Sequence, residues 1–404
     1  MLLRFRVANH RSVRDEQELS LVAVPRKGEP KPIGPIPPTV RVAGIYGANA
    51  SGKSNVLHAL NYMVTAVQNS YRSWSPTGGV ERYPFLLDKA CRDTVSHYEI
   101  DLLVDGVHYS YGFELDDQTV RAEWLRSFPT GSRARTLFDR KGSDFGFGRA
   151  LAGPRTAVEK LTRGNALFLS VAAANGYPLL LDVFAALVQG IRPPLSSHHL
   201  DLVPVGDIVG ERLFGRVERL VKFADLGIEE LLIDRHEVSG MSPWQAVDLK
   251  LRHGVDKDAS FSLADESAGT VAWLSAMVPV LESLDSGGVL LVDEVDSSLH
   301  PMLSAALIQM FKDSVINPKG AQLVFTSHDV ALLGNLLHNG VLGRDEVWFT
   351  EKDGSGATAL FPLTDFKPRD GENFERAYLQ GRYGAVPFVD LDQLRSLFRE
   401  KAAG

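Results

Sequence analysis

The sequence predicts an α/β fold with a buried central sheet. Three observations predict it. Val42–Tyr46 is a short apolar run leading into Gly47-Ala48-Asn49-Ala50-Ser51-Gly52-Lys53-Ser54, which matches G-x-x-x-x-G-K-[ST] throughout. Residues 288–292 (GVLLV) form a second apolar run that ends in Asp293-Glu294. Residues 322–326 (QLVFT) form a third, followed by Ser327-His328-Asp329. Uninterrupted apolar runs of this length suit buried strands.

Each element follows from its residues. Gly47 and Gly52 let the backbone curl so that successive N–H groups face phosphate oxygens. Lys53 supplies a flexible cation for the β- and γ-phosphates of ATP, and Ser54 a hydroxyl for Mg²⁺. Val56, Leu57, Leu60, Met63, Val64 and Val67 then recur at helical spacing. The loop therefore lies between a strand and a helix N-terminus, where phosphate binding is favoured.

The acidic pair at the end of residues 288–292 is placed to serve the same nucleotide. Asp293 would hold Mg²⁺, and Glu294 would orient and deprotonate the attacking water. The alternative is a helix start, where acids are favoured in any case. His328, just past a strand, can reach the γ-phosphate, or else simply cap the next helix. Glu266-Ser267-Ala268-Gly269-Thr270 precedes a helical pattern through Trp273, Leu274, Met277, Val278 and Leu281. Its hydroxyl and free N–H groups suit an anion, although Ser267 is also an ordinary N-cap.

Composition narrows the setting. The chain has 404 residues, 44% of them hydrophobic, and 43 Lys+Arg against 50 Asp+Glu for a net charge of −7. That excludes nucleic-acid binding by bulk basicity alone. Cys91 is the single cysteine, so no internal disulfide or cysteine zinc cluster forms, and a reducing, cytoplasmic setting is expected. The most apolar stretch, residues 177–188, is broken by Asp182 and is too short to cross a bilayer. The start of the chain lacks a secretory pattern, and the proline-rich residues 25–38 read as a loop.

Together these elements resemble the ABC-type ATPase fold in its chromosome-maintenance and DNA-repair branch. More narrowly, the chain is similar to the stand-alone AAA-type ATP-binding proteins of prokaryotic antiviral defence. That group includes the abortive-infection ATPases paired with RloB-like nucleases, and relatives of the Septu, PARIS and OLD ATPases. The resemblance rests on FRVANHRS (Phe5–Ser12), YGANASGKSN, ESAGT, VDEVDSSLHP, LVFTSHD and the tail segments 347–349 and 363–387. It implies an N-terminal antiparallel β element, a mixed central sheet, and an inserted β-arm with a helical lobe. It also implies a homodimer, or a higher homo-oligomer, that sandwiches ATP. In that arrangement Ser267 and Gly269 of one copy contact the γ-phosphate held by the other, and Asp296 sits at the seam. The phosphate-loop residues through Asn55 bind the nucleotide, and Asn9 and Arg11 lie near its adenine end. Two departures stand out. The signature turn is degenerate, and the expected glutamine linking nucleotide to insert is missing from residues 81–87.

The resemblance and the spacing divide the chain into four parts. Residues 1–95 form the N-terminal half of the ATPase domain, 96–255 the insert, 256–343 the C-terminal half, and 344–404 a completing extension. No sustained heptad fills the 214-position separation from Lys53 to Ser267, so no long coiled coil is expected. Residues 97–103 and 107–115 alternate around Asp105-Gly106, a hairpin signal, and helices are expected at 158–173, 179–188 and 210–223.

Arg121–Arg163 holds ten Lys/Arg and four acids, a local net of +6, with Trp124, Phe128, Phe138, Phe145 and Phe147 interleaved. This is a candidate DNA or RNA surface, weighed against a solvated face over core aromatics. Only 76 residues follow His328, and Asp390-Leu391-Asp392 lacks a matching glutamate, so no intrinsic nuclease is expected. A separate RloB/Toprim- or HNH-like nuclease would be the effector. The tail, with Arg369, Arg376, Tyr378, Arg382 and Tyr383, would either dock it or pack beneath the sheet. The expected function is an ATP-hydrolysing switch or scaffold of an antiphage system. The alternatives are a DNA-repair ATPase with a separate nuclease and a slow ATP-binding module.

Overall fold

The computed structural model describes residues 1–25, 37–129, 133–195, 211–224, 227–235, 247–254, 259–337, 340–369, 371–386 and 395. The chain opens with β1 (Leu2–Ala8), β2 (Gln17–Ser20), β3 (Val42–Tyr46) and α1 (Lys53–Asn69). The short α2 (Lys89–Asp93) precedes β4 (Ser96–Val104), β5 (Val107–Leu115), β6 (Val120–Phe128), β7 (Arg135–Lys141) and β8 (Asp144–Phe147). Helices α3 (Arg155–Leu161), α4 (Phe168–Ala174), α5 (Pro178–Val188) and α6 (Glu211–Phe223) follow. Next come β9 (Ile228–Arg235), β10 (Val247–His253), β11 (Phe261–Ser262), α7 (Ala268–Ser286) and β12 (Val289–Val292). The chain continues with α8 (Pro301–Lys312), β13 (Gln322–Thr326), β14 (Val347–Lys352), β15 (Thr358–Pro362) and α9 (Phe374–Leu379). Most of the proline-rich 25–38 stretch, and residues 390–392, lie outside the described residues.

The central sheet runs β12-β13-β3-β14-β15, parallel except for the final antiparallel strand. Both faces are covered, which explains the uninterrupted apolar runs. Ala43, Ile45, Val289, Leu291 and Val324 point into one core with α1, α4 and α5. Val42, Tyr46, Leu290, Val292, Leu323 and Phe325 point into the other with α7 and α8. The second large sheet is antiparallel, in the order β2-β1-β4-β5-β6-β7-β8. The hairpin expected in the insert forms, with Asp105 and Gly106 both at positive φ (48° and 76°) in its turn. β4 pairs with β1, so the inserted strands extend the N-terminal sheet and do not project as a free arm. Buried Gln322 joins the two sheets: its Oε1 accepts from the Leu2 N–H (2.7 Å) and its Nε2 donates to the Leu2 carbonyl (2.9 Å).

One expected element needs correction. The single helix expected over 158–173 is two, α3 and α4. The carbonyls between them are used elsewhere: Gly164 accepts from the Val120 N–H at 2.9 Å, and Ala166 from the Arg140 guanidinium at 2.6 Å. A helix cannot continue through carbonyls spent on other partners. The sequence also gave no warning of a three-stranded antiparallel sheet, β11-β10-β9, just before the ESAGT turn. Among the described residues, no single helix is long and apolar enough to cross a membrane; α4 and α5 would have to act together across a 110° bend.

Candidate functional site

The phosphate loop leaves β3 and closes on the N-terminus of α1, with Gly52 at φ 109°. A Cβ on Gly52 would lie 2.1 Å from Thr358 Oγ1, so both conformation and space demand glycine there. The loop is braced from β14 and β15. Ser51 Oγ and Thr350 Oγ1 are 2.6 Å apart, Thr358 Oγ1 donates to the Ser51 carbonyl (2.8 Å), and Asn55 Nδ2 donates to Ser12 Oγ (2.6 Å). Motif reading gave Ser12 no role and did not reach Thr350 or Thr358. Their partners lie up to 346 positions away, so no local spacing betrays them.

Lys53 is only 5% exposed and donates to the carbonyls of Gly47 (2.8 Å) and Ala48 (3.1 Å). Burial lowers its pKa, and Glu294, Asp293 and Asp296 pull it back toward the ordinary value. Ser54 Oγ donates to Asp293 Oδ1 at 2.9 Å, joining two residues that the chain separates by 239 positions. Asp293 Oδ1 also accepts from Thr326 Oγ1 (2.6 Å), and the same hydroxyl accepts from the Glu294 N–H (2.8 Å). Glu294 sits at φ 56°, a left-handed conformation that this bond helps hold. From the insert side, the Leu195 carbonyl accepts from the Asp293 N–H (2.7 Å).

His328 Nε2 lies 3.9 Å from Glu294 Oε1, and His328 Nδ1 lies 3.5 Å from Lys53 Nζ. Asp296 accepts from the His328 backbone N–H at 3.3 Å. These residues share one cleft of about 880 Å³, lined by Asn49, Ala50, Ser51, Gly52, Lys53, Ser54, Asn55, Glu294, Asp296 and His328. Ser297 and Lys352 line it too, and neither was expected. Lys352 ends β14, where no motif marks it.

Other expected positions lie apart from the cleft lining. Ser267 is exposed and caps α7, accepting from the Thr270 N–H at 3.1 Å. Gly269 packs so close to the loop after Glu294 that a Cβ would meet the Ser298 carbonyl at 3.0 Å. Asn9 is buried, and its side chain is spent on backbone: it donates to the Cys91 carbonyl (2.7 Å) and accepts from the Phe85 N–H (2.8 Å). Arg11 lies over the Tyr83 ring, 5.4 Å from its centroid, with Nη2 2.8 Å from His58 Nε2. That contact opens an inward chain. His58 Nδ1 is 2.8 Å from His10 Nε2, and His10 Nδ1 is 2.7 Å from the Tyr98 hydroxyl. Burial, reinforced by His58 and Arg11, pushes His10 down to about 3. Burial and Arg11 push His58 down to about 4.

The aromatics interleaved in 121–163 do not form a stacking platform. Phe138 is fully buried, Phe145 and Phe147 pack on Phe168, Phe128 stacks on His108, and Trp124 Nε1 donates to Glu99. In the tail, Tyr378 and Tyr383 stack on Phe349 beneath the central sheet, the packing alternative for those two rings.

Residues 42–334, from the strand before the phosphate loop to just past His328, match the family described as "AAA domain, putative AbiEii toxin, Type IV TA system". The chain belongs to this AAA family. The match joins the phosphate loop, the acidic strand end and His328 in one ATPase domain, although 239 positions separate Ser54 from Asp293. Among solved structures, the chain is similar to the SMC head domain from Thermotoga maritima, at 13% identity over 89% of this chain and 98% of that one, with a TM-score of 0.43. It is also similar to an Smc head domain with an extended coiled coil bound to the C-terminal domain of ScpA, derived from Pyrococcus furiosus, at 11% identity over 90% and 97%, with a TM-score of 0.39. No curated protein matches the sequence.

Proposed function

We propose that this AAA-family protein dimerises around ATP, hydrolyses it, and uses the cycle as a switch that holds or releases an effector. One observation carries the reading: the 2.9 Å bond from Ser54 to Asp293 closes the phosphate loop onto the acidic strand end, with Lys53, Glu294 and His328 around one cleft. The loop N–H groups and Lys53 would bind the β- and γ-phosphates. Glu294 would take the proton of the attacking water, and His328 would orient toward the γ-phosphate.

The Ser54 hydroxyl and Asp293 carboxylate are hard oxygen donors that fit Mg²⁺. Among the described residues no group of three or more His, Cys, Asp or Glu could cage a metal alone, so phosphate and water oxygens would complete the shell. Bound Mg²⁺ would neutralise charge on the phosphates.

The cleft is open to solvent, and exposed Ser267 with Gly269 from a second copy would cover it and exclude water, as the sequence resemblance implies. A place in antiphage defence, with a separate RloB/Toprim- or HNH-like nuclease as effector, is supported by that resemblance and by the family's toxin–antitoxin description. The cations of 121–163 add nucleic acid as a partner class.

The test is Glu294→Gln. Turnover should fall at least about 100-fold, while ATP converts the variant to a stable dimer in sedimentation. A variant that turns over ATP like wild type removes Glu294 as base. One that stays monomeric with ATP bound removes the sandwich.

A further inference from the structure

The fold sorts the ten cations of 121–163 into two sets. Four are committed to structure. Arg140 is 1% exposed, donates to the carbonyls of Gly142 and Ala166, and faces buried Glu123 at 3.6 Å. Arg163 donates to the carbonyls of Ser70 and Tyr71, Arg155 lies over Phe147, and Arg121 pairs with Asp116. Of the exposed remainder, three gather at one end of the antiparallel sheet. Arg135 and Arg149 line a cleft of about 460 Å³ with Thr136 and Ala150. Arg126, on β6, lies directly across the ladder from Thr136.

The gathering has a structural cause. The β6–β7 register shifts between Leu125 and Arg126, and Gly148 approaches so closely that a Cβ would meet the Thr136 carbonyl at 1.8 Å. That approach sets Arg149 beside Thr136. None of the three guanidiniums has a carboxylate partner among the described residues. The exposed acid on the same strand, Asp139, is four residues beyond Arg135, about 13 Å away at strand rise.

We propose that this cleft, lined by Arg135 and Arg149 and flanked by Arg126 across the ladder from Thr136, grips the phosphodiester backbone of duplex nucleic acid. The proposal rests on the nucleic-acid part of the reading above and narrows it to three residues. Guanidinium forks match phosphate oxygens in pairs, and uncompensated arginines on a chain of net charge −7 mark where a polyanion is admitted. Since the neighbouring aromatics are packed or stacked, bases have no ring to lie on, so contact is to the backbone and independent of sequence.

The test is fluorescence anisotropy of the full chain with a labelled mixed-sequence duplex, titrated between about 50 and 200 mM salt. The triple variant Arg126→Ala, Arg135→Ala, Arg149→Ala should lose at least about tenfold in affinity at the low-salt end, and its log–log salt slope should be shallower by about 3, roughly 0.9 per lost phosphate contact. Its ATP turnover without nucleic acid and its melting temperature should match wild type. A Lys141→Ala, Lys160→Ala control should bind like wild type. If wild type does not bind the duplex, the nucleic-acid reading fails and the cleft with it. If wild type binds and the triple variant binds equally, the cleft is wrong while the broader reading stands. Equal loss in the lysine control, or binding of polyglutamate in place of the duplex, also overturns the proposal.

Discussion

Thr326 offers the sharpest test of how the acidic strand end is built. It is 0% exposed, and its hydroxyl is shared: it donates to Asp293 at 2.6 Å and accepts from the Glu294 N–H at 2.8 Å. Thr326→Val keeps shape and β-branching and removes only the hydroxyl. A hydrogen bond to a carboxylate is worth about 1.5–3 kcal/mol, and an N–H left unpaired costs about 1–3 kcal/mol. The added methyl returns about 0.8 kcal/mol. A net loss of roughly 2–5 kcal/mol follows, concentrated where Glu294 is held at positive φ.

If about 2–3 kcal/mol of that positions Glu294 and Asp293 in the transition state, kcat for ATP falls about 30- to 160-fold. KM should stay within about threefold, because Thr326 does not line the cleft. Thr326→Ser, which keeps the hydroxyl, should restore most of kcat. Steady-state turnover with a parallel melting curve reads all three quantities. The reasoning fails if Thr326→Val turns over like wild type while melting lower, since the network would then serve the fold alone. It also fails if Thr326→Ser is as impaired as Thr326→Val.

Two further outcomes follow from the site. Lys352→Ala should raise KM for ATP about tenfold, the worth of one charge-assisted contact, with kcat within about threefold; an unchanged KM would remove Lys352 from the nucleotide site. The His10–His58 pair should make stability depend on pH. Both histidines titrate in the fold at about 3 and about 4, below the ordinary value of about 6.5 that the unfolded chain keeps. The unfolded state therefore binds more protons in that window, and stability is full above about pH 6.5 and falls as pH drops toward 4. The urea midpoint should decline between about pH 7 and pH 5, and His58→Gln should flatten the decline; an equally steep variant would assign the loss to other groups.

The ATPase halves were legible because their signals are local. Gly47 through Ser54 carry a contiguous motif, and β12 and β13 are apolar on both faces, so motif and hydropathy suffice. The boundaries of β5 and β13 agree with the sequence reading to the residue. Lys352 and the threonines behind the loop were not legible, since a lysine or threonine at a strand end has many ordinary explanations. The basic segment was legible only as an average. Sequence counts charges, but burial decides which are spent, and Arg140 and Arg163 turned out to be fasteners.

The chemistry this protein can offer a nucleotide was therefore written in short stretches of chain, because binding phosphate constrains neighbouring residues. Which distant residues meet was left to packing. Ser54 reaches Asp293 and Thr358 reaches Ser51 only because β12, β13, β3, β14 and β15 lie side by side in one sheet. The union of the insert with the N-terminal sheet, and the gathering of Arg126, Arg135 and Arg149, depend on strand pairing and register. Register is a long-range property, set by which faces can be buried together, and no window of sequence contains it.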